Sequence, residues 1–176
     1  MNKDFTVLLL GKDLRSIART NEVVRAVVDQ ESFDELFNLL LHHERLLVMR
    51  AADGIEKVTI HHPQYLQPHK GQLLSLLRSS IHKELKWHMA LLVSRISLTD
   101  EELREVWSIL SYWVRNPNES KIVRVNSLQG MYEIARRHAA LKQSSDDIIR
   151  ATEHEPIPSL QARIRKLRKA YPSGND

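Results

Sequence analysis

The chain has 176 residues, 42% of them hydrophobic and 27% charged, so its composition is that of an ordinary globular domain long enough to bury a core. It has no cysteine, which excludes disulfides, iron–sulfur clusters, thiolate zinc and a cysteine nucleophile, and no run of about 18 apolar residues of the kind a transmembrane helix needs. A net charge of +4 permits a polyanionic or acidic partner without requiring one, and only five glycines and six prolines favour long helices over tight hairpins. These features lead to the expectation of a cytoplasmic protein without membrane insertion.

The first predicted element is the apolar patch Phe5 to Leu10 in MNKDFTVLLLGKDLRS. It is too brief for a secretory core and has acidic residues on both sides, so it reads as a short core helix. Phe33, Leu36, Phe37, Leu40 and Leu41 recur at helical spacing, with Ser32 and Glu35 as a candidate capping box. Val48, Ala51, Ile55 and Val58 predict the buried stripe of the next helix, which Pro63 stops. Leu73, Leu76 and Leu77 mark a third helix; Ile81, Leu85, Met89, Leu92 and Ile96 mark a fourth. Thr99 with Glu102 is a second capping box and opens Leu103, Val106, Trp107, Leu110 and Val114. After the turn at Asn116, Pro117 and Asn118 comes a helix with Ile122, Val125, Leu128, Tyr132 and Ala135. Ser144 with Asp147 starts a shorter one, Pro156 and Pro158 break it, and Leu160, Ile164, Leu167 and Tyr171 line a last amphipathic helix. No segment alternates with a period of two, so no strand is expected.

The helices alternate in pairs, and Val48, Leu85 and Ile122 recur at a spacing of 37 residues. Arg50, Trp87 and Arg124 keep the same register; further along, the register slips by one residue. Three helix pairs therefore occupy about 31–140. A single pair cannot bury its own apolar face, whereas stacked pairs share a continuous core. Segments 1–30 and 141–172 are atypical, as terminal caps are, and the whole of 1–176 reads as one domain.

The stretches VMRAADGIEKV (48–58) and IVRVNSLQGMYEIA (122–135) resemble the second helix of HEAT repeats: an apolar residue, an arginine, a small residue, then aliphatics. From GKDLRSIARTNEVV to its basic end, the chain is similar to small bacterial HEAT-repeat proteins of the armadillo-like class. It departs from the pattern at Trp87, where the neighbouring repeats have arginine, and at Asp53, where a small residue is usual. The resemblance implies an all-α, HEAT-like α-α superhelix whose second helices line a concave face. Ala51, Ala52 and Gly54 then allow close helix approach, as does Gly130.

Nine histidines raise the question of a metal. His42/His43 and His61/His62 are adjacent pairs that point apart on a helix, and Glu84 with His88 is the one His–carboxylate pair at i, i+4, which is too few ligands. No metal or cofactor is expected. No GxSxG or Gly-rich phosphate loop is present, and the acids Asp100, Glu101, Glu102, Asp146 and Asp147 fall in predicted first turns, where they complement the helix dipole. Trp87, Trp113 and Asp53 are the residue types that a HEAT-like DNA glycosylase uses, without a local motif to match.

Arg50, Trp87 and Arg124 remain as a ladder, its rungs roughly 10 Å apart on stacked second helices. Lys57, Lys86, Arg95 and Lys121 add charge beside it. Two readings stand: a partner-binding surface, or arginines bonding aspartates and loop carbonyls between repeats. The run ARIRKLRKAY, with Arg163, Arg165, Lys166, Arg168 and Lys169, is either a basic binding helix or an end cap with solvated cations. The expected function is non-enzymatic: a scaffold for a protein or peptide partner, with nucleic acid as the alternative.

Overall fold

The computed structural model describes residues 5–10 and 16–170. Among them are ten α-helices and four short 3-10 segments, with no strand. The chain divides into two compact units, Met1–Lys70 and Gly71–Asp176.

The first unit holds α1 (Phe5–Leu10), α2 (Ser16–Ala26), α3 (Gln30–Asn38) and α4 (Arg45–His61), with 3-10 segments at Leu39–Leu41 and Pro63–His69. α1, α2 and α3 all pack on α4. The short apolar patch is α1, and it buries Phe5 and Leu9. Helix α3 starts earlier than the Ser32–Glu35 spacing predicts. Asp29 is the N-cap: its carboxylate accepts from Ser32 N at 2.9 Å, and Ser32 Oγ accepts from Asp29 N at 3.2 Å. A carboxylate at that position also meets the positive end of the helix dipole, which favours it over the serine. Helix α4 buries Ala51, Ile55 and Val58 as expected, but Leu47 takes the place of Val48, which is half-buried.

A polar cluster ties α3 to the segment Pro63–His69. His69 Nε2 lies 2.6 Å from Asp34 Oδ1. An ionised carboxylate only accepts, so the proton sits on Nε2. Gln30 Nε2 donates to the same oxygen at 2.6 Å and to the Tyr65 carbonyl at 3.1 Å. The imidazole stacks on Phe37 with ring centroids 3.9 Å apart, beside Phe33. Burial pushes the Asp34 carboxyl upward, but the Gln30 amide and the His69 imidazole outweigh it and hold the group below the ordinary carboxylate value.

The second unit holds α5 (Lys70–Ser79, whose first residue falls in the first unit), α6 (Lys83–Leu92), α7 (Asp100–Arg115), α8 (Lys121–Ala135), α9 (Lys142–Thr152) and α10 (Pro158–Ala170). The 3-10 segments are Val93–Arg95 and Ala139–Leu141. Thr99 caps α7 through the expected box: its hydroxyl accepts from Glu102 N and its own N donates to Glu102 Oε2. Ile81 lies exposed ahead of α6, outside the predicted stripe, while Met89, Leu92 and Ile96 are buried. Leu160, Ile164 and Leu167 form the buried stripe of α10; Tyr171 lies outside the described residues.

Helix α8 is the centre of this unit. It packs against α6, α7 and α10 and is buried nearly all round, from Val123 to Leu128 and at Gly130, Met131, Ile134 and Ala135. Ile122, predicted for its apolar stripe, is 45% exposed instead. Both glycines that the sequence singles out sit at close approaches. A Cβ on Gly54 would meet Val23 Cγ1 at 3.0 Å. A Cβ on Gly130 would fall 2.2 Å from the Ala90 carbonyl oxygen, a backbone atom of α6.

Two outcomes follow for stability. Gly130→Ala should lower it by about 1–3 kcal/mol despite the better helix propensity, because the obstacle is backbone. Gly54→Ala should fall within about 1 kcal/mol of the parent, because the one tight contact is with a side-chain methyl that has to yield far less than the Ala90 backbone would. Urea denaturation separates them, and equal effects at the two sites would contradict the packing described. The depressed Asp34 contributes stability above the ordinary carboxylate range, and that contribution disappears as pH falls through its folded value. Its carboxylate is 43% exposed, so Asp34→Asn should destabilise by about 0.5–1 kcal/mol at pH 7. The difference should shrink below about pH 4. A gap between the two proteins that stays constant from neutral to acid pH would disprove the assignment.

Candidate interaction surface

Of the seven residues that the sequence proposes for partner contact, Arg50 and Lys57 lie on α4 in the first unit. Lys86, Trp87, Arg95, Lys121 and Arg124 belong to the second. Arg50 is half-buried, and its guanidinium donates to the Leu9 carbonyl at the end of α1. Lys57 Nζ lies 2.8 Å from Asp53 Oδ2, one turn back on the same helix.

In the second unit Lys86 Nζ lies 2.6 Å from Glu119 Oε2 and 5.4 Å from the centroid of the buried Trp113 ring. Trp87 is half-buried against His88, and His88 is itself in the core. Arg95 ends the segment Val93–Arg95, half-buried. Lys121 is exposed at the first position of α8, with no side-chain partner among the described residues. Arg124 is 1% exposed. Its Nε donates to the Val114 carbonyl at 2.7 Å and its terminal nitrogen to Glu155 Oε1 at 2.6 Å. The carbonyl belongs to the last turn of α7, where no intrahelical donor exists, so the arginine caps that helix end.

The partners Glu119 and Glu155 carry no local signal in the sequence. They sit in loops, 33 residues after Lys86 and 31 after Arg124. Among the described residues no three His, Asp or Glu side chains are arranged to hold a metal ion. Asp53 and Trp87, two of the glycosylase-type residues, lie in different units, and Trp113 is covered by Lys86.

What stays open on α4 and on α8 is one stripe on each helix, which on α8 faces away from Arg124. On α4 it runs through Leu46, Asp53, Lys57 and Ile60, with Leu46 and Ile60 exposed. On α8, 76 positions later, it runs through Ile122, Gln129, Glu133 and Arg136. Gln129 donates to Glu133 at 2.7 Å, Arg136 donates to Glu133 at 3.2 Å, and Arg163 of α10 donates to Gln129 Oε1 at 2.7 Å. Both stripes combine exposed aliphatic residues, Leu46 and Ile60 on α4 and Ile122 on α8, with paired charges. The matched spacing of 7, 11 and 14 residues from Leu46 and from Ile122 was the available signal for them.

A family model for the HEAT repeat domain matches residues 11–171. The chain belongs to the HEAT repeat family. The ten helices of the described residues are packed in a HEAT-like repeat arrangement. The X-ray structure of YibA from Escherichia coli has the same HEAT-like fold. It matches 89% of this chain at a TM-score of 0.58 and 18% identity, and the chain spans 52% of that structure's length. No curated protein matches the chain. No helix of the described residues is long and apolar enough to cross a membrane.

Replacing Arg124 by Met keeps bulk but leaves the Val114 carbonyl and Glu155 without their donor. Glu155 is 30% exposed, so the expected loss is about 2–4 kcal/mol, short of the value for a fully buried pair. Chemical denaturation checks it; a loss below about 0.5 kcal/mol, the level of an exposed pair, would show that the guanidinium does not hold the helix end.

Proposed function

We propose that this HEAT-repeat chain is a non-enzymatic module that binds a protein or peptide partner, with the stripe of α4 in the first unit and the stripe of α8 in the second each a contact surface. HEAT repeats commonly mediate protein interactions. The observation that carries the reading is the composition of the stripes. Leu46 and Ile60 on α4 and Ile122 on α8 are exposed aliphatic residues beside charges of both signs. Protein interfaces combine apolar contact with a polar rim in this way. In this reading Lys57 contributes on the first unit and Trp87, Arg95 and Lys121 on the second, while Arg50 fixes α4 in the first unit and Lys86 and Arg124 fix helices of the second. The alternative, a nucleic acid on the same stripes, draws on cations that are engaged with Asp53, Glu119, Glu155 and the Leu9 carbonyl.

A photo-crosslinking side chain placed at Ile60 or Ile122 in producing cells should trap a recurrent polypeptide. The same group at Ser108, exposed on the first helix α7, should not. Crosslinks that are nuclease-sensitive, or equal at all three positions, would remove the proposal.

A further inference from the structure

We propose that the outward face of α10 is a separate contact surface for the phosphate backbone of nucleic acid, carried by Arg165, Lys166 and Lys169. It does not rest on the peptide-binding reading of α4 and α8.

Helix α10, PSLQARIRKLRKA, contains five cations and no acid. Its cations divide into two sets. Arg163 donates to Gln129 of α8, and Arg168 to the Glu153 carboxylate, so these two flank the buried stripe and dock the helix. Arg165, Lys166 and Lys169 lie on the opposite face with Ser159 and Ala162, all exposed. Among the described residues, none of the three has a hydrogen-bond or ion-pair partner. Three other exposed cations of this unit are balanced locally, Arg78 by Glu105, Arg136 by Glu133 and Arg150 by Asp147, whereas exposed Lys121 stands alone at the start of α8 and α10 gathers three such cations on one face. The outer face of α10 is therefore a patch of one sign.

The chemistry of that face selects among anionic partners. A helix that lies in a membrane interface needs apolar side chains beside its cations, and here Leu160, Ile164 and Leu167 all face inward. A protein interface needs an apolar centre, and Ser159 and Ala162 are what lies between the charges. Phosphate contacts require only positioned cations. Arg165 and Lys169 are one turn apart, about 6 Å along the axis, and over that length a duplex presents roughly three to four phosphate charges.

The test is fluorescence anisotropy with a labelled duplex of about 20 base pairs and a matching single strand, titrated at 50 to 200 mM salt. With three phosphates neutralised, the log–log slope on duplex should be about −2.7, so affinity should fall about 40-fold across that range. The triple variant Arg165→Gln, Lys166→Gln, Lys169→Gln should bind at least about 10-fold more weakly at 50 mM, with a slope near zero. These side chains touch nothing in the core, so its thermal melt should match the parent. Lys57→Gln with Lys121→Gln should bind like the parent, and crosslinking from Ile122 should persist in the triple variant. Anionic vesicles containing phosphatidylserine should not bind. The proposal is overturned if the parent fails to bind at 50 mM, if the triple variant binds as the parent does, if the loss follows Lys57 and Lys121, or if the vesicles bind through the same three residues.

Discussion

The guanidinium of Arg124 is the interaction on which the second unit turns. It is fully desolvated in the most buried helix of that unit, and its donors meet acceptors from two other elements: the last turn of α7 and the loop between α9 and α10. A buried charge without partners is far costlier than a surface one, so α7, α8 and that loop are constrained to one arrangement. Gly130 adds a second constraint from the other side, since α6 runs so close that its Ala90 carbonyl occupies the place of a Cβ. Between them these contacts set the position of α8 against both neighbours. Among the described residues, the Ser127 hydroxyl in α8 and the Ser145 hydroxyl in α9 are buried without a protein hydrogen-bond partner. Such groups oppose stability and are tolerated because the surrounding apolar burial outweighs them.

The same device recurs with different acceptors. Arg50 bonds the Leu9 carbonyl at the end of α1, and Arg137 bonds the Ser94 carbonyl in the segment after α6. In each case an arginine supplies donors to a carbonyl where regular helix hydrogen bonding runs out. Arginine suits this role because its planar fork carries several donors at fixed angles and is less strongly hydrated than an ammonium. Trp87, which the sequence aligns with Arg50 and Arg124, has one indole N–H in place of a fork of donors, and it lies against His88.

What was legible in the sequence depended on range. The Thr99–Glu102 box and the stop at Pro63 involve neighbouring residues, and both appear where local chemistry places them. The cap of α3 shows the limit of that logic. Asp29 and Ser32 are both good caps, and spacing alone favoured the serine because Glu35 follows it. On α4 the choice of Val48 over Leu47 was a rotation of one residue, about 100° on the wheel, and Ala51, Ile55 and Val58 fit either phase. The all-α, HEAT-like fold survived such errors because it rests on many positions at once. The surroundings of the candidate site did not, because Glu119 and Glu155 reach their cations across more than thirty residues of chain.

That difference in range also governs how the charge of this protein can act. A basic composition counts cations without saying which of them already have anions. Lys57, Lys86 and Arg124 are paired at 2.8 Å or less, and Arg50 is held by a carbonyl, so most of the predicted ladder contributes cohesion and little external field. A cluster of exposed cations lies on the outward face of α10, where Arg165, Lys166 and Lys169 have no acid on their own helix to offset them. Docking and free charge are separated on that helix by its wheel, since the apolar stripe, flanked by Arg163 and Arg168, fastens it while Arg165, Lys166 and Lys169 lie opposite. A helix built this way can meet a polyanion without disturbing the packing that holds it in place. The mixed stripes of α4 and α8 lack that uniform field but offer aliphatic contact, which is the property a protein partner requires.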